Sequence, residues 1–105
     1  AEATLEYIRL VPPTINDEMM ASVVQAAARK VVSENAPVTS PATTGGEDFA
    51  FFLEKVPGAI ALLGVRNEAC NAVWPQHSGK YCVDENALIG GAMLYAQVAM
   101  DFNAQ

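Results

Sequence analysis

The stretch TGGEDFAFFLEKVPGAIALLGV, residues 44–65, decides how this sequence is read as a fold. EDFAFFLEKV at 47–56 reads as a short helix, and Pro57-Gly58 ends it. AIALLGV at 59–65 is an unbroken apolar run, which predicts a strand buried on both faces, as in a parallel or mixed sheet. A helix feeding a doubly buried strand belongs to the α/β class. Gly45 and Gly46, just before the helix, imply a sharp turn or a close backbone approach.

Working outward, RNEACNAVWPQHSGKYCV at 66–83 is a long irregular connection. Connections of that length are uncommon in compact domains unless they serve a function. Asp84 then caps a helix over 85–102, with Leu88, Ala92, Tyr95 and Ala99 as its apolar stripe. Gly90 and Gly91 inside this helix cost about 1 kcal/mol each against alanine, which predicts a close neighbour there.

Upstream, residues 33–46 form a polar loop. Before it, a helix spans 16–35, capped by Thr14 or Asn16, with Met20, Val24, Ala27 and Val31 as its stripe. Asp17 and Glu18 open that helix and Arg29 and Lys30 close it, as the helix dipole favours. TLEYIRL at 4–10 reads as a strand with one wet face, and Pro12-Pro13 stops it. The predicted order is strand, helix, helix, strand, helix. Two strands are too few for an independent sheet, so the count implies membership of something larger.

Composition narrows the functions. The 105 residues suit one small domain, and 51% hydrophobic content argues against disorder. A net charge of −6, with six scattered basic residues, argues against nucleic acid and against an anionic membrane surface. No apolar run approaches the roughly 20 residues of a membrane span. Cys70 and Cys82 make no disulfide framework and no C-x-x-C pair. With no secretory h-region at the start, two free thiols in a reducing, cytoplasmic setting are expected.

Two places carry candidate chemistry. His77 is the only histidine and lies in the long loop after Pro75. An imidazole there is either a metal ligand or a ring packed in a loop. A zinc site needs three or four protein ligands, and Glu47, Asp48, Asp84, Glu85, Cys70 and Cys82 show no recognisable ligand spacing around it. A complete metal site within these residues is therefore not expected. A serine nucleophile lacks its G-x-S-x-G elbow, and neither cysteine stands at a helix start, where its pKa would fall. The second place is TTGGEDF at 43–49. Glycines opening a helix suit an anion, but Glu47 and Asp48 repel one unless they point away; a glycine turn with acids facing the dipole fits equally well.

Taken together, TGGEDFAFFLEKVPGAIALLGV and PQHSGKYCVDENAL (75–88), with LEYIRLVPPTIND (5–17) before them, resemble the C-terminal part of the M20 metallopeptidase family. The likeness is to its amidohydrolase branch of hippurate hydrolases, N-acyl-amino-acid amidohydrolases and auxin-conjugate hydrolases, and it covers essentially the whole chain. Thr44 stands where methionine is usual, and Leu10-Val11 where an aromatic is common.

The resemblance implies a partial Zn-peptidase-like α/β/α catalytic domain over 13–105, preceded at 1–12 by the last strand and exit of a lid, or dimerisation, domain. It implies that His77, within P-x-H-S-x-x-[FY], is the last metal ligand, and that the parent site holds two divalent metals, zinc, manganese or cobalt. It implies that Gly45 and Gly46 help hold the substrate carboxylate and that Glu47 orders the loop behind the site. The substrate class would be N-acyl amino acids or small peptides. No general acid or base of the family falls within this chain, so the chain alone is expected to be inactive. A homodimer is expected, with strand exchange conceivable. The alternative is a free-standing, non-enzymatic domain that oligomerises to cover its incomplete sheet.

Overall fold

The computed structural model describes residues 1–36 and 40–104, so positions 37–39 of the expected 33–46 loop lie outside the described residues. Among the described residues three helices carry the fold: α1 (Glu18–Val31), α2 (Ala50–Leu53) and α3 (Asn86–Asn103). A one-turn 3-10 helix, Glu68–Cys70, lies between α2 and α3.

Asp17 begins α1. Its backbone is extended (φ −63°, ψ 135°) and its carboxylate accepts the Met20 N–H at 2.9 Å. This corrects the expected cap, and the reason is competition for side chains. Asn16 is occupied elsewhere: its Nδ2 donates to the Ile60 carbonyl and its Oδ1 accepts the Ile60 N–H, both at 2.9 Å. The Asp17 N–H donates to the Gly58 carbonyl at 2.9 Å. The start of α1 is thereby sewn onto residues 58–60. The helix stops at Val31 rather than 35. Beyond it the Ser33 hydroxyl and carbonyl accept from the Asn35 and Ala36 N–H groups, offering the backbone a turn in place of a further helical rung.

The expected helix over 47–56 shortens to α2. Turn hydrogen bonds run on to Lys55 and Val56 on its far side. The final helix lies where the sequence places it, within a residue at each end. Asp84 stands one residue before the N-cap Glu85, whose own side chain makes no capping bond; Asp84 Oδ1 accepts the Asn86 N–H at 3.0 Å and its carbonyl accepts that of Ala87 at 3.0 Å.

The two expected strands are the main difference. Neither 4–10 nor 59–65 forms a ladder, and among the described residues the one β-pairing is the isolated antiparallel bridge between Asn67 and Ala72. A strand exists only with a neighbour to exchange N–H and C=O bonds with, and no described segment pairs its backbone with either stretch in a ladder. The Asn16 amide supplies Ile60 with a single side-chain substitute for such a neighbour.

Packing is thin. α1 and α3 lie against each other. Among the described residues the buried apolar ones are Val23, Ala27, Ala28, Ala50 and Ala72, four of the five being alanine. The radius of gyration, 17.3 Å, exceeds the roughly 13 Å of a compact domain this long. Ala27 of the expected α1 stripe is buried, while Met20, Val24 and Val31 are half-buried.

On α3 the expected stripe points outward, with Tyr95 85% and Leu88 52% exposed. The half-buried positions are instead Ala87, Gly90, Gly91, Leu94, Gln97, Val98 and Asp101. This helix is apolar nearly all round, so periodicity does not select a face; the glycines do. A Cβ on Gly91 would come within 3.0 Å of Leu63 Cδ2, the close approach that the glycine pair predicts. Lys30 and Asp101 pair across the helices at 2.7 Å. No helix among the described residues is long and apolar enough to cross a membrane.

Candidate functional site

His77 sits at a turn. The Pro75 carbonyl accepts the Ser78 N–H at 3.2 Å, making His77 the third residue of a four-residue turn. Its φ is +66°, while Gln76 keeps a negative φ. A positive φ at the third position alone is the type II pattern, where glycine or asparagine is favoured. Placing a histidine there costs about 1–2 kcal/mol of steric strain. Its ring is exposed and bonds no described residue. Ser78 continues the fold, with Oγ accepting the Lys80 N–H at 3.2 Å and its carbonyl accepting that of Tyr81 at 3.0 Å. The Lys80 ammonium lies 4.6 Å from the centroid of the Trp74 ring, a cation–π pair beside the turn.

The base of this loop is closed twice. The Asp84 N–H donates to the Val65 carbonyl at 3.0 Å, and Asn67 Nδ2 donates to Asp84 Oδ2 at 2.7 Å. Hydrogen bonds from Asn67 and then Asn86 hold the Asp84 carboxyl below its ordinary value, against a smaller opposing effect of burial.

The GGEDF segment is placed by contacts to the N-terminal arm. Thr14 Oγ1 donates to the Glu47 carbonyl at 3.4 Å, and a Cβ on Gly46 would meet Val11 Cγ2 at 3.1 Å. The Glu47 carboxylate folds back to accept the Phe49 N–H at 3.0 Å. Gly45 and Gly46 are exposed, and α2 begins only at Ala50, so the glycines do not open the helix directly.

Among the described residues no hydrogen bond joins His77 to Gly45, Gly46 or Glu47, and no three of the histidine, cysteine, aspartate and glutamate side chains converge on one point. One outward imidazole on a strained turn suits a single ligand to a metal held jointly with other groups. Cys70 and Cys82 are free and exposed, their thiols directed at the carbonyls of Asn67 and Asn71. Two clefts beside Asn16 reach none of the site residues. Asn67, two residues past the predicted strand over 59–65, holds the base of the His77 loop, and its place just after a predicted strand end is the one signal that marks it.

Comparison with known proteins adds the context. A family model described as peptidase family M20/M25/M40 matches residues 2–101. The chain is 40% identical over 87% of its length to thermostable carboxypeptidase 1 of Saccharolobus solfataricus, covering 21% of that protein. It is 32% identical over 93% of its length to IAA-amino acid hydrolase ILR1-like 6 of Arabidopsis thaliana, covering 22% of it. It is 38% identical over 74% of its length to N-acetyl-L-cysteine deacetylase of Bacillus subtilis, covering 17% of it. The chain thus spans about a fifth of the length of the curated relatives it matches. No solved structure matches it.

Proposed function

Because this chain belongs to peptidase family M20/M25/M40, we propose that it is the C-terminal segment of a metal-dependent amidohydrolase that cleaves the amide bond of N-acyl amino acids or small peptides. The observation that carries the reading is His77: an exposed imidazole that bonds none of the described residues, held out on a type II turn at a φ that favours glycine. Backbone strain of this kind persists where a side chain is needed at that spot. His77 would supply one neutral nitrogen to a centre of two divalent cations, zinc, manganese or cobalt, whose other ligands lie in segments this chain lacks. A bound divalent cation lowers the pKa of its water and polarises the amide carbonyl. Within this chain, His77 binds, the Pro75–Ser78 turn orients it, and the loop at Gly45 and Gly46 stands as a candidate contact for the substrate carboxylate.

The same reading accounts for the absent sheet. Residues 59–65 would be one strand of an α/β/α catalytic domain, paired on both edges by strands outside this chain. Residues 1–12 would be the last strand and exit of a lid domain through which the parent forms a homodimer. The exposed Leu62, at 79%, is then a core residue awaiting its cover. Three of the relatives, a carboxypeptidase, an IAA-amino acid hydrolase and an N-acetyl-L-cysteine deacetylase, carry names that describe cleavage of a peptide or amide bond.

The test is hydrolysis of N-acetyl amino acids and hippurate by the complete polypeptide, with and without chelator, beside His77→Ala and the 105-residue chain alone. Chelator-sensitive turnover lost in His77→Ala and absent from the isolated chain is expected. Turnover by the isolated chain with added manganese would overturn the reading. A second reading, a non-enzymatic domain that oligomerises through its first strand, is favoured by the exposure of Leu5, Tyr7 and Leu10. It requires the isolated chain to form a stable oligomer that is dispersed by Tyr7→Lys.

A further inference from the structure

We propose that Asn67 and Asp84 form a positioning clasp for the His77 loop, so that metal affinity at His77 depends on two residues that never touch the metal; this rests on the reading of His77 as a ligand.

The loop over 66–83 has no regular structure beyond one 3-10 turn, and its conformation is built outward from Asn67. That residue spends its backbone N–H on the Ala72 carbonyl (3.0 Å) and its carbonyl on the Ala72 N–H (2.9 Å). Its Oδ1 accepts the Ala69 N–H at 2.9 Å. Its Nδ2 then reaches across to Asp84 Oδ2 at 2.7 Å, short for a hydrogen bond to a carboxylate and therefore strong. Asp84 uses its other oxygen, Oδ1, on the Asn86 N–H (3.0 Å) and side-chain Nδ2 (2.9 Å) at the start of α3. One asparagine and one aspartate thus join the end of the 59–65 run, the returning limb at Ala72 and the first turn of α3.

The limb that carries His77 hangs from this frame. Arg66, beside Asn67, donates to the Val73 carbonyl at 3.0 Å. Trp74, Pro75 and the turn follow directly. On the other side, the Cys82 thiol meets the Asn71 carbonyl at 3.3 Å, two residues before Asp84. Among the described residues nothing bonds the His77 ring to fix it. Its place is decided by where the two limbs are anchored: the first at Ala72 and Val73, by Asn67 and its neighbour Arg66, and the second at Asp84, by Val65 and Asn67. A ligand on a loop is only as well placed as the bonds that support the loop, and losing such support typically weakens a metal 10–100-fold.

The pair also permits a swap. An aspartate at 67 can accept the Ala69 N–H on one oxygen and a hydrogen bond on the other. An asparagine at 84 can accept the Asn86 N–H on its Oδ1 and donate its Nδ2 to the carboxylate at 67. The Asn67→Asp/Asp84→Asn double variant therefore rebuilds the clasp with donor and acceptor exchanged.

The experiment titrates Co2+ into the complete, metal-stripped polypeptide, following its visible ligand-field band and its affinity against a competing chelator. Asn67→Ala and Asp84→Asn should each weaken Co2+ by roughly tenfold or more and shift the band, while the double swap returns affinity to within about threefold of the parent. Where Asn67→Ala does not fold, Asn67→Ser keeps an acceptor for Ala69 and removes only the donor to Asp84. His77→Ala is the internal control. If it leaves affinity and band unchanged, the ligand reading falls. If it abolishes the band while Asn67→Ala and Asn67→Ser bind like the parent, or the swap stays as weak as the single variants, the clasp alone is overturned.

Discussion

Replacing His77 by glycine and by alanine separates strain from function. Both variants remove the imidazole, and because the ring is exposed and unbonded, neither loses appreciable packing. They differ in the backbone. At φ +66° an alanine Cβ crowds the following carbonyl at a cost of about 1–2 kcal/mol, which glycine avoids. Glycine gives back about 0.4–1 kcal/mol through the greater entropy of its unfolded chain. The balance leaves His77→Gly more stable than His77→Ala by about 0.8 kcal/mol. At an ordinary negative φ the same comparison would favour alanine by 0.5–1 kcal/mol. The sign is therefore the test. The assay is urea unfolding of the complete polypeptide, stripped of metal so that lost ligation does not enter. His77→Gly should unfold at the higher urea concentration, and both variants should fail to bind metal. An alanine variant as stable as the glycine variant, or more so, would refute the left-handed turn and the argument built on it.

Three further outcomes are expected. Gly90→Ala should raise stability by up to about 1 kcal/mol through helix propensity, since the nearest atom to its new Cβ, Val32 Cγ2, is 4.0 Å away. Gly91→Ala should gain less, because Leu63 Cδ2 at 3.0 Å must move; thermal unfolding that ranks the two in reverse counts against the packing of 59–65 on α3. Asn16→Ala should cost about 1–2 kcal/mol by removing both bonds to Ile60, and Asn16→Asp, which retains only the acceptor, should fall between; an unchanged melt for Asn16→Ala would show the clamp to be idle. Asp101 titrates below its ordinary value of 3.8 because Lys30 first, and then Gln97, bond its charged form. A lowered folded value means the carboxylate's stabilisation is present above pH 3.8 and is lost as pH falls through the folded value. Carboxyl NMR titration should show Lys30→Met moving Asp101 back up toward 3.8, and no movement would remove Lys30 as the cause.

Helices with polar punctuation were legible in the sequence. Asp84 and the run of good helix formers after it define α3 locally, and the acidic start and basic finish of α1 mark its ends. The strands were legible as composition but not as structure, because AIALLGV and TLEYIRL state what they bury without supplying what pairs with them. The face of α3 was illegible for a related reason. With apolar residues on every side, the outward Leu88 and Tyr95 satisfy a helical period as well as the inward Leu94 and Val98. The candidate site divides in the same way. His77 stands out by residue type and by its neighbours Pro75 and Ser78. Asn67 does not, because its role lies in four hydrogen bonds to residues between two and seventeen positions away.

By itself, then, the sequence determined what local forces govern: the place of α3, the acidic start and basic finish of α1, and the motifs that mark the family. Tertiary structure decided what depends on a neighbour. It chose Asp17 over Asn16 as the cap because Ile60 claims the Asn16 amide. It turned the glycines of α3 toward Leu63 and Val32, and it closed the His77 loop with Asn67 and Asp84. Capping, turn geometry and charge at helix ends act over a few residues of one chain segment. Packing faces and strand pairing are settled by whichever surface arrives opposite, and no single segment encodes that.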